Sequence, residues 1–66
     1  MNKLSEAIAT LQFDVIMNEN VAAKPLLSDL FGMYKAVGEK PMSFVYNQLT
    51  NEEYSILVEV KNKLAA

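Results

Sequence analysis

Thr50-Asn51-Glu52-Glu53-Tyr54-Ser55-Ile56-Leu57-Val58-Glu59-Val60-Lys61-Asn62-Lys63-Leu64 admits two foldings, and the choice between them sets the fold class. Ile56-Leu57-Val58 could form a strand and pair with Phe44-Val45-Tyr46, since β-branched and aromatic side chains fit a pleated surface. The helical reading has more support. Thr50 and Glu53 stand three apart, the spacing of a capping box in which each side chain satisfies a free backbone donor of the first turn. Glu52 and Glu53 suit the positive end of a helix, and Lys61 and Lys63 suit the negative end. Glu59 and Lys63 form a favourable i, i+4 pair. Tyr54, Leu57, Val60, Lys61 and Leu64 share one side. The expected class is therefore all-α, a small three- to four-helix bundle with residues 1–66 as one helical domain. The alternative is α+β, with a hairpin formed by about 43–47 and 54–60.

Upstream of this stretch, Pro41 is placed to begin a short helix through about Leu49, with Met42, Val45, Tyr46 and Leu49 facing inward. Phe44 then points away from them, unless the segment is extended or a neighbouring loop covers the ring. Before it, Pro25 suits the first turn of a helix, and Val21-Ala22-Ala23 could add a turn of its own. Leu26, Leu27, Leu30, Phe31, Met33, Tyr34 and Val37 make a broad apolar arc, opposed by Ser28, Asp29 and Lys35. Gly38 is suited to end that helix in the left-handed conformation.

The first helix runs from about Asn2 or Lys3 to Asn18. Leu4, Ile8, Leu11 and Val15 recur at spacings of four, three and four, which is one helical face. At about 100° per residue, Phe13 falls nearly opposite them, flanked by Ala9, Ile16 and Met17. A surface helix has one apolar face; this one has two. Either it is central and packed on both sides, or Phe13, Ile16 and Met17 form an exposed patch for a second copy or another protein. Ala9 and Phe44 join them as candidate partner-binding residues.

Composition sharpens the question. In 66 residues, hydrophobic types, alanine included, make up 52% and charged types 21%. A chain this short buries only about 60% of its unfolded surface, so it has little interior in which to hide that excess. It has no Cys, so no disulfide, and no His, the commonest metal ligand. The expectation is a protein without cofactor or metal.

The same absences bear on catalysis. Without His or Cys, a Ser–His pair and a thiolate nucleophile are both excluded. Asp14, Asp29, Glu19 and Glu39 have no spacing that forces two carboxylates together. Asp14, Asn18 and Asn20 could meet a hydrated cation, but these types first do capping and turn chemistry. The chain is read as a non-enzyme.

Six Lys against eight acidic residues give a net charge of −2, with no Arg. A nucleic-acid binder carries a basic stripe, with Arg for phosphate and guanine contacts. A helix-turn-helix around Gly38 would offer Ser43, Asn47 and Gln48 with no positive charge of their own. Nucleic-acid regulation is therefore the alternative reading, behind a protein-binding module that regulates or inhibits a protein partner and self-associates through the first helix. No apolar run approaches the ~20 residues that span a bilayer. With no targeting signal visible either, the chain is read as cytoplasmic, in a bacterium or its phage, and its Lys- and Asn-rich, Arg-free composition points to an AT-rich genome.

Overall fold

The capping box forms. In a computed structural model, which describes residues 1–65, the Thr50 N–H donates to Glu53 Oε1 and the Glu53 N–H donates to Thr50 Oγ1, each at 3.1 Å. It opens a helix over Asn51–Ala65. The other helices cover Leu4–Met17, Lys24–Val37 and Met42–Gln48, with a 3-10 turn at Val21–Ala23. In chain order the helices are α1 to α4. The chain is all-α, as expected. Residues 43–47 and 54–60 are helical, so the alternative hairpin does not form. The closed start of α4 and the proline-led start of α3 outweigh one short β-prone run. Glu53 and Thr50 begin α4, and extended Pro41, at φ −69° and ψ 157°, turns the chain into α3.

α1 packs against both α2 and α4, and all the contacts fall on one side of it. Leu4, Ala7, Ile8 and Leu11 supply the centre of the core, meeting Leu26 and Leu30 of α2, Met42 and Val45 of α3, and Leu57 and Val60 of α4. The buried face of α4 is rotated from the expected one. Ile56 joins Leu57 and Val60 against the core, whereas Tyr54 lies at the rim and Lys61 is exposed. Tyr54 instead meets Tyr46 edge to face, with ring centroids 5.3 Å apart. Edge-to-face packing of this kind is favoured by the ring quadrupoles.

The start of α1 is secured from far along the chain. Lys3 precedes the helix and provides no side-chain cap. Glu39, from the α2–α3 connection, accepts the Ser5 N–H at 3.0 Å. Beside it, the Leu4 N–H donates to the Lys40 carbonyl at 2.8 Å, and the Met42 N–H to the Asn2 carbonyl at 3.1 Å. Lys3 and Pro41 thus form an isolated antiparallel bridge. Bonds from Ser5, side chain first, hold the Glu39 carboxyl below its ordinary value.

Gly38 delivers the connection to that strap. Its N–H caps α2 on the Tyr34 carbonyl at 2.8 Å. Its φ is positive, but ψ is −160° rather than the left-handed helical value expected, because the chain must leave α2 extended to run beside Lys3. This corner of backbone space is essentially reserved for glycine. A Cβ here would meet no heavy atom within 4 Å, so any penalty is purely torsional. Gly38→Ala is expected to destabilise the fold by about 1–3 kcal/mol in urea unfolding. A smaller loss would show that the strap can re-route.

Candidate functional surface

The outer face of α1 is open to solvent. Phe13 is 52% exposed, Ile16 66% and Met17 64%, and Val21 of the following turn is 67% exposed. Ala9 is exposed one turn before Phe13. The first helix is therefore not central. Its two neighbours share the Leu4–Ile8–Leu11 side and leave the opposite face uncovered. Loose packing is not the cause. The Cα radius of gyration is 10.8 Å, matching the value of about 11 Å expected for a folded chain of this length.

Phe44 behaves differently. Its segment is helical, and the ring is only partly exposed. Lys40 Nζ lies 5.4 Å from the ring centroid, so the α2–α3 connection shields it through a cation–π contact. The structure thus places Ala9, Phe13, Ile16 and Met17 on one stripe and Phe44 on a separate helix. On α3, Ser43, Asn47 and Gln48 are exposed.

The end of this stripe is anchored by a buried carboxylate. Asp14 has no exposed surface at all. The Asn18 Nδ2 donates to its Oδ1 and the Asn20 Nδ2 to its Oδ2, each at 2.6 Å. Lys63 Nζ, from the last turn of α4, stands 3.4 Å from both oxygens. The amide of Asn20, then that of Asn18, holds the carboxyl below its ordinary value of 3.8, against the opposing effect of burial and with help from Lys63. A buried carboxylate persists when hydrogen bonds and a counter-charge replace water, and this one has both. The group ties the end of α1, the turn through Glu19 at φ 52° and the end of α4 into one piece. It holds the backbone that presents Met17 and Val21. Lys63 was expected to pair with Glu59. Its ion pair runs to Asp14 instead, because the desolvated carboxylate gains more from a cation than exposed Glu59 does.

Two further carboxyls come together without any signal in their spacing. Asp29 of α2 faces Glu53 of α4, and hydrogen bonding toward Glu53, then burial and like charge, raise the Asp29 carboxyl above its ordinary value. Glu53 is lowered, first by the Thr50 backbone bond and then by Asp29. Glu53 is already engaged in closing α4, so the pair is part of the helix start. Among the described residues, no three His, Cys, Asp or Glu side chains gather as a metal site, and no helix is long and apolar enough to cross a membrane.

A shallow groove lies between α1 and α2. Val15 and Leu27 give it an apolar floor, and Lys24, Ser28, Phe31 and Lys35 form its outer side. Along the same helix, Tyr34 and Val37 are also more than two-fifths exposed, at 42% and 45%.

No protein-family model, curated protein or solved structure matches the chain.

Proposed function

We propose that this protein is a non-catalytic protein-binding module that associates with a second copy of itself through the outer face of α1 and acts as a regulator or inhibitor of a protein partner. One observation carries the self-association: Phe13, Ile16 and Met17, three large apolar side chains on a single rigid stripe, are each more than half exposed. With Val21 they present on the order of 400 Å² of side-chain surface, at roughly 100 Å² each. That is about a tenth of the total 4266 Å². A standard interface takes about 800 Å² from each partner, so this stripe supplies the centre of one and needs a polar rim. The expected complex is a weak dimer, with micromolar dissociation.

Ala9 shapes how two copies meet. In an antiparallel pair of α1 helices centred at Leu11, Phe13 of each copy lies level with Ala9 of the other. The small side chain leaves room for the ring, which is how knobs seat in holes between helices.

Sedimentation equilibrium on the wild type and on Phe13→Asp tests the reading. The wild type should shift from monomer to dimer across the micromolar range. Phe13→Asp should remain monomeric at every concentration, with a melting temperature within a few degrees of wild type, since the exposed ring contributes little to the monomer core. A wild type that stays monomeric at millimolar concentration overturns the proposal. So does a variant that unfolds, which would make Phe13 a core residue.

A further inference from the structure

The groove between α1 and α2 has a charge opposite to that of the chain that carries it. Its lining includes Lys24 and Lys35 and no carboxylate, whereas the whole protein has a net charge of −2. The groove is shallow and widely open to solvent, with a volume of about 620 Å³. Lys24, Ser28, Phe31 and Lys35 follow one another at i, i+4, i+7 and i+11 on α2, so they make a single ridge. The two lysines stand at the ends of that ridge, their backbone positions roughly 16 Å apart along the helix axis. Between them Leu27 and Phe31 face Val15 across the groove, and Phe31 is 41% exposed.

We propose that this groove is a docking site for an amphipathic helix of a partner protein, with acidic side chains spaced to meet Lys24 and Lys35. The dimensions select the occupant. A helix lying along α2 meets both lysines only if it carries carboxylates about three turns apart, with two turns of apolar side chains between them. Charge complementarity selects its sign, and like-charged flanks would be repelled at both ends. The site rests on the reading of this chain as a binding module. Its lining shares no residue with the Phe13 stripe.

The probe is a capped, alanine-based helical peptide of about 18 residues. It carries glutamates at i and i+11 and leucines at i+3, i+4, i+7 and i+8. A control peptide has lysines in place of the two glutamates. Binding is followed by amide chemical shifts of the ¹⁵N-labelled protein at low salt. The glutamate peptide should bind with a dissociation constant in the tens of micromolar, at least about tenfold tighter than the lysine peptide. The shifts should concentrate at Val15, Leu27, Phe31 and Lys35. The double variant Lys24→Glu/Lys35→Glu should reverse the preference between peptides. Equal binding of both peptides, no binding, or shifts confined to Phe13, Ile16 and Met17 would overturn the proposal. So would co-sedimentation with phosphatidylserine vesicles in place of peptide binding, which would make the lysines a contact for anionic lipid. Failure here is separate from failure of self-association, because sedimentation reads the one and peptide-induced shifts read the other.

Discussion

Asp14→Ala is expected to lower the melting temperature by at least about 10 °C, the largest loss for any polar residue in this chain. The side chain is fully buried and accepts bonds from Asn18 and Asn20 while facing Lys63. Removing it leaves a cavity beside the core and two amide donors without their acceptor. Lys63 loses its counter-charge but is 44% exposed and can turn to water. Lys63→Met leaves the buried carboxylate with its two amide donors but without its counter-charge, so it should cost less than Asp14→Ala and more than loss of an exposed pair. The pH dependence follows from the direction of the shift. The folded-state carboxyl lies below its ordinary value of 3.8, so its contribution is fully present above that value. It is lost as pH falls through the lower folded-state value. Melting curves of wild type and Asp14→Asn should thus be fully separated above pH 3.8 and converge only as pH falls through the lower folded-state value. A gap that stays constant from acid to neutral pH would mean that the carboxylate's charge does not support the fold.

Leu11→Ala is expected to remove a large share of the stability of the fold, about 2–5 kcal/mol. Leu11 is fully buried at the middle of α1, on the side that faces both α2 and α4. Truncation of such a leucine costs about 2–5 kcal/mol. A chain of 66 residues has a total stability of only roughly 3–10 kcal/mol, at about 0.05–0.15 per residue. Leu11→Met, which keeps the volume, should cost less than about 1.5 kcal/mol. Urea unfolding followed by circular dichroism measures both. The contrast with Phe13→Asp is the sharper test. Phe13 lies two residues away on the same helix, yet the more drastic substitution there should leave the fold intact. If the two positions prove equally sensitive, the division of α1 into a buried and a free face is wrong.

What could be read in advance was local. The capping box at Thr50 and Glu53 depends on residues three apart, and it decided helix against hairpin before any packing was known. The periodicity of Leu4, Ile8 and Leu11 located the buried face of α1, and the same wheel isolated Phe13, Ile16 and Met17. It did not say whether that second face was covered, because cover is supplied by other elements. The features that escaped were non-local. Glu39 caps a helix that begins 34 positions earlier, counted from Ser5. Lys63 reaches Asp14 across 49 positions. Asp29 and Glu53 meet because α2 and α4 pass each other. Asp14 itself looked like one more polar residue of a helix edge, although the wheel places it beside Leu4, Ala7 and Leu11. Its nearness to Asn18 and Asn20 was visible, but its burial depends on α4.

The strap at the start of α1 and the clasp at its end also order events in time. The first helix to be synthesised receives its cap only when Glu39 has been made, and its buried carboxylate receives a cation only with Lys63. At about 5–20 residues per second, the interval between Asp14 and Lys63 is roughly 2–10 s. Until α2 follows, both apolar faces of α1 are uncovered on a nascent chain. α1 is thus secured in two stages, and a chain cut short before Lys63 would hold the Glu39 cap at the start of the helix while its buried carboxylate lacked the cation that closes the far end.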